Sequence, residues 1–341
     1  MNFEYTPEEL TLFKELETAV KKESPSPEAL LQSLTHIGYT ALSTNGCSSA
    51  LPAAQEKLAQ WQPHLFLAIE YSLRVAAPLI QEFAPEWQTT AEEILHGKKL
   101  ISVAFSPSSQ SAPALFAKVT EEEVTLSGFR SEIPHAKSAH AILTLADLEN
   151  GDSALLLLEP DTPHLSLTPC GTGLYTLEAR GVTLPLSHMI LLDPKKSPQK
   201  RYETLKAALQ AAEATGHSAA AFYQAKKAAK VRPEGGKPPI AKQEVGFTLA
   251  TMYTLLQTSR LMATHAATAK ASDAAMTAAC ARVFCSDAAK EVCTSAISVM
   301  GDQSFEAGGP LERLQRVQAL GVEMRPTGQT REAIGNLLLK Y

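Results

Sequence analysis

Apolar residues recur at three- and four-residue steps at the start of the chain. Leu10, Phe13, Leu16 and Val20 share one helical face, and residues 61–83 are dense in apolar positions. The pattern predicts helices from residue 6 to about 95, with a break at Ser24-Pro25-Ser26-Pro27. Near Gly97 the period changes. Residues 100–105, 123–126, 141–145 and 154–158 are short apolar runs bounded by Pro, Gly, Asn and Asp, the pattern of antiparallel strands joined by turns. After Asp193-Pro194 the helical period returns. Residues 201–230 are rich in Ala, Leu, Lys, Glu and Gln without proline and predict a long helix, closed by Pro233 and Gly235-Gly236. A second helix from about residue 242 aligns Leu249, Met252, Leu256, Ser259 and Ala263. A third, capped by Ser272 or Asp273, aligns Phe284, Ala288, Val292, Ala296 and Val299 and ends at Gly301.

Small alanines on facing stripes allow close helix approach, so the last third predicts a tightly packed antiparallel bundle. The predicted fold class is α+β, mostly α. An N-terminal helical domain spans residues 1–96, a small antiparallel β domain 97–195, and a C-terminal four-helix bundle 196–341.

Composition narrows the function. With 341 residues, 45% of them hydrophobic and 20% charged, the chain can bury a sizeable core. Its net charge of -5 is dispersed, leaving no basic stripe for nucleic acid or an anionic membrane surface. No apolar run approaches the roughly 20 residues of a membrane span. The acidic first residues lack the basic-then-apolar order of a secretory signal, which predicts a cytoplasmic protein. Cys47, Cys170, Cys280, Cys285 and Cys293 include no Cys-x-x-Cys pair, so neither a disulfide framework nor a metal site is expected; the last three read as small buried residues of one helix.

Ordered local strings carry more information. Leu126-Ser127-Gly128-Phe129-Arg130, Leu158-Glu159-Pro160-Asp161-Thr162-Pro163 and Gly181-Val182-Thr183-Leu184-Pro185 lie in the predicted β region. Arg232-Pro233-Glu234-Gly235-Gly236-Lys237-Pro238, with Gln243 and Leu249-Ala250-Thr251-Met252, opens the bundle. Val283-Phe284-Cys285-Ser286-Asp287-Ala288-Ala289, Met300-Gly301-Asp302-Gln303-Ser304-Phe305 and Pro310-Leu311-Glu312-Arg313-Leu314-Gln315-Arg316 continue it. In this order the strings resemble the acyl-CoA dehydrogenase family, closely over residues 90–340 and only in kind before that.

That resemblance implies a reaction in which a glutamate removes the α-proton of an acyl-CoA while the β-hydrogen leaves as hydride to FAD. The family's base precedes a Gly-Thr pair near the C-terminus. Counted without a gap from Arg316, the position here is Arg325, and a permanently protonated guanidinium cannot accept a proton. Some relatives carry the base on the first bundle helix, where this chain has Lys206-Ala207. A shifted register could bring in Glu203, Glu213 or Glu323, although each reads as an acid on a solvated helix face. No catalytic residue is therefore assigned.

The flavin contacts implied by the resemblance are partly kept. Ser106 retains a hydroxyl, Thr327 and Gln329 retain a polar pair, and Arg232 and Gly301 remain among the groups lent to a neighbouring subunit's FAD. Against that, the flavin string reads Ser131-Glu132-Ile133-Pro134, Gly235 and Ser298 stand for an aromatic and a glutamine, and Asp302 replaces a glycine. His135 and His140 flank the string and read as turn or surface residues. FAD is expected to bind weakly, in part, or shared with a partner, or not at all. The resulting prediction is a catalytically silent acyl-CoA dehydrogenase-like subunit of a heteromeric enzyme. The alternatives are an active flavoenzyme with a displaced base, and a flavin-free homo-oligomer that binds an acyl-thioester.

Overall fold

A computed structural model describes residues 5–21, 26–43, 50–106, 114–171, 173–231, 236–322 and 327–339. The chain divides into two compact units, one comprising residues 1–21, 44–63 and 207–341, the other residues 22–43 and 64–206.

In the first unit, α1 (Pro7–Val20) starts at a reciprocal cap between Thr6 and Glu9 and buries Phe13, Leu16 and Val20, while Leu10 is exposed. With α3 (Ala50–Trp61) it joins the C-terminal helices, α7 (Pro198–Ala228) from residue 207 on, α8 (Gln243–Thr268), α9 (Ala274–Met300), α10 (Pro310–Val322) and α11 (Thr327–Leu338). The small-residue stripes work as expected. Leu249, Met252, Leu256, Ser259 and Ala263 are buried along α8, as are Ala288, Val292 and Ala296 on α9. Asp273 holds the α9 N-cap position but makes no side-chain cap bond. Cys285 and Cys293 are buried, and burial pushes their thiols up to about 11 and about 12.

Close approach is tightest at Gly216 on α7, where a β-carbon would overlap the Ala59 side chain and the Glu56 carbonyl of α3. Gly216→Val is expected to cost about 3 kcal/mol by overpacking, measurable by urea denaturation. A loss under 1 kcal/mol would mean that α3 shifts freely.

The second unit holds α2 (Pro27–His36), α4 (Phe66–Glu70), α5 (Ala77–Phe83) and α6 (Gln88–Leu95) with one sheet. A π-helical segment, Tyr71–Ala76, joins α4 to α5. The strands are β1 (Ile101–Ala104), β2 (Phe116–Val119), β3 (Glu123–Pro134), β4 (Ala141–Leu148), β5 (Ser153–Leu158), β6 (Leu165–Gly171), β7 (Leu174–Pro185) and β8 (Met189–Leu191). Their order is β6-β7-β3-β2-β4-β5-β8, with β1 also on β4. Pairing is antiparallel except that β1 and β2 each run parallel to β4, so the sheet is mixed rather than wholly antiparallel. Gly128 is obligatory in β3, because its φ is +123° and a β-carbon would strike the Ala114 carbonyl.

Candidate functional site

Phe105 and Ser106 directly follow β1, β3 carries Glu132, and the first turns of α7 carry Tyr202 and Lys206 one helical turn apart. All belong to the second unit. The Lys206 ammonium donates to Ser106 Oγ at 3.1 Å and lies 3.9 Å from Glu132 Oε2. It also sits 5.4 Å from the Tyr202 ring centre. The Tyr202 hydroxyl is 3.2 Å from Ser106 Oγ, and its ring packs against Phe105 at 5.2 Å. Ser106, Tyr202 and Lys206 are 4%, 0% and 3% exposed, so the ammonium is held in a dry setting by a hydroxyl, a ring face and a carboxylate. Glu132 adopts φ +58°, a conformation unfavourable for a residue with a β-carbon.

The rest of the string is committed to the fold. Pro134 offers no N–H, and its carbonyl accepts from the Ser102 hydroxyl. Arg130 donates to the Leu145 carbonyl, and burial lowers its pKa. His135 forms a left-handed turn residue whose pKa is lowered by burial, and exposed His140 accepts from the Leu100 amide.

In the first unit, Gly301 takes φ +58° at the end of α9. Gln329 is exposed on α11, next to Thr330, whose hydroxyl bonds Arg282. Arg232, Arg325 and Glu323 lie outside the described residues, as does the Thr327 side chain.

Glu213 corrects the expectation of a solvated acid. It is 3% exposed on α7, flanked by buried Gln210 and by His217, whose Nε2 is 3.8 Å from its carboxylate. Burial pushes its pKa up to about 8, with Arg316 pulling the other way. Glu203 is half-buried and accepts from Gln199 at 3.0 Å. The Tyr202–Lys206 pair escaped the sequence reading. Its signal was the one-turn spacing of an aromatic and a basic residue at the position where the resemblance implies an alternative base, with nothing local to show that the ammonium turns inward.

The profile of the acyl-CoA dehydrogenase C-terminal domain matches residues 204–322, which span most of the bundle just described. Residues 204–322 thus carry an acyl-CoA dehydrogenase C-terminal domain. It is 34% identical to an acyl-CoA dehydrogenase of Bacillus subtilis (strain 168) over 108 residues, 31% of this chain and 28% of that protein. The two curated relatives are thus matched over only 28% and 32% of their own lengths.

The fold is similar throughout to butyryl-CoA dehydrogenase from Megasphaera elsdenii, with TM-score 0.87 at 20% identity over 99% of this chain and 100% of that one. The ChsE4–ChsE5 complex from Mycobacterium tuberculosis is similar at TM-score 0.81 and 21% identity, over 100% of both chains. A glutaryl-CoA dehydrogenase from Mycobacterium smegmatis in complex with FADH2 gives TM-score 0.86 and 14% identity, over 99% and 96% of the respective chains.

The resemblance to acyl-CoA dehydrogenases implies FAD. The side chains at the flavin string fit it poorly, since the Ser106 hydroxyl is engaged by Lys206 and Tyr202, Pro134 has no amide hydrogen, and Glu132 brings a carboxylate. Among the described residues no group of His, Cys, Asp and Glu could hold a metal ion, and no helix is long and apolar enough to cross a membrane.

Proposed function

We propose that this chain is a catalytically silent member of the acyl-CoA dehydrogenase family that pairs with an active homologue. The observation that carries the reading is Lys206. At a position where relatives place a carboxylate base, the chain has an ammonium, and that ammonium is bonded to the hydroxyl that the resemblance assigns to flavin. With Arg325 at the other base position, neither locus offers a proton acceptor.

A partner is supported by the outer face of α8. From Val245 to Ser259 the helix carries no charged residue, and Phe247 and Tyr253 are 64% and 49% exposed. Depletion of charge around exposed aromatic residues is the composition of an interface core. The fold's occurrence in the ChsE4–ChsE5 complex accords with such pairing. In that role Arg232 and Gly301 are the groups this chain would lend to a partner's FAD, and the partner's acyl-CoA chemistry is the reaction served.

The test is to purify the chain alone, record its visible absorption, and titrate it with FAD. We expect no flavin absorption and no saturable uptake. A yellow protein bleached by an acyl-CoA under anaerobic conditions would overturn the reading. One observation favours the alternative of an active enzyme with a displaced base: Glu213, with its pKa near neutrality, is its candidate acceptor. In that case flavin reduction disappears in Glu213→Gln.

A further inference from the structure

The first unit contains a cavity of about 950 Å³ between α1, α3, α7, α8 and α10. It shares no residue with the site above. Its volume falls at the upper end of small-ligand pockets, about 300–1,000 Å³. Phe13, Trp61, Tyr223 and Leu261 give it apolar and aromatic walls, and the last three remain 40–48% exposed at its rim.

The charges on the wall are unequal. Its acids, Glu17 and Glu56, are already engaged, Glu17 by Lys57 and Lys21, and Glu56 by Arg260 through paired bonds of 2.7 and 2.6 Å. Lys227 and Arg313 also line it, and among the described residues no carboxylate pairs with either. Arg313 is the telling group. It is 6% exposed, and its guanidinium donates only to the backbone carbonyls of Ala59, Gln60 and Gly308. Three of its donors are used on neutral oxygens, leaving two N–H groups and a full positive charge uncompensated by a bonded anion. Burial and the neighbouring Arg316 push its pKa down to about 10, with Glu312 pulling the other way.

We propose that this cavity is a binding site for a small organic anion, a carboxylate carried on an aromatic or branched apolar body. The carboxylate faces Lys227 and Arg313, and the apolar body lies against Trp61, Tyr223 and Phe13. The site is independent of the flavin question, because its lining includes none of the residues that the resemblance assigns to flavin.

The probe is 2-naphthoate, with 2-naphthylmethanol as its neutral analogue. Titration uses the Trp87→Phe chain, in which Trp61 is the sole tryptophan. We expect saturable quenching by 2-naphthoate with Kd on the order of 0.1 mM, the range open to a ligand of this size. The alcohol should bind at least tenfold more weakly. Ala53→Phe, which places a ring into the cavity from the half-buried face of α3, should weaken naphthoate at least tenfold with an unchanged melting temperature. Lys227→Met, on an exposed side chain, should weaken it severalfold. Equal affinity for acid and alcohol, unaltered binding in Ala53→Phe, or no saturable quenching would each overturn the assignment.

Discussion

Arg74→Met is expected to lower the stability of the second unit by about 3–5 kcal/mol, the usual cost of breaking a buried ion pair from one side. The Glu70 carboxylate is wholly buried, accepts from the Tyr39 hydroxyl at 2.6 Å, and has the Arg74 Nε at 3.7 Å. Arg74 itself is 8% exposed and donates to the Tyr39 and Thr40 carbonyls. Both partners stand on the continuous helix through the π-helical segment, so this trio ties that helix to the turn after α2. Methionine fills much of the space but removes the cation, leaving a buried negative charge near a Tyr39 hydroxyl whose pKa burial already raises. Trp87, in the same unit, reports unfolding by fluorescence during urea denaturation. Glu70→Gln combined with Arg74→Met should recover most of the loss, because the orphan charge is gone. A single-variant loss below 1 kcal/mol would show that water reaches Glu70.

Glu213→Gln should make the chain more stable, and increasingly so as pH rises toward 8. A carboxyl with an ordinary pKa of 4.5 that burial raises to about 8 keeps its proton in the folded state while the unfolded chain has already lost it. Between those values the folded state binds more protons, so folding stability falls as pH rises, by at most about 1.4 kcal/mol per pH unit for one group. The contribution is intact below the unfolded pKa, lost progressively through the window, and constant above the folded pKa. Glutamine stays neutral throughout and escapes that loss. The gap in melting temperature between Glu213→Gln and the parent chain should therefore widen from pH 5 to about 8 and then level off. Parallel profiles would mean that Glu213 is ionised in the native bundle, held by Arg316.

How much of this was visible in the chain itself differs by element. The α8 stripe was read residue for residue, since burial along a helix packed on one side follows the helical period. Strands β1, β4 and β5 were legible because they are buried along most of their length and so appear as apolar runs. Strands β2 and β6 were not, because most of their side chains are exposed, β2 has no apolar alternation, and the alternation of Leu165 and Leu167 in β6 stops at Pro169. The parallel pairings of β1 and β2 with β4 were equally hidden, since strand direction depends on long-range order and leaves no local signature.

The sequence by itself carried the resemblance to the acyl-CoA dehydrogenases and the fold class, and it put cationic residues where that resemblance implies a base, because ordered motifs and residue chemistry are local properties. Only the tertiary structure decided that the Lys206 ammonium turns inward onto Ser106, that Glu213 is desolvated, and that Arg313 faces a cavity without a paired anion. Whether a polar side chain meets water or another group depends on neighbours a hundred or more residues away in the chain, as with Ser106 and Lys206 or Arg313 and Ala59, and no periodicity within one helix encodes that meeting.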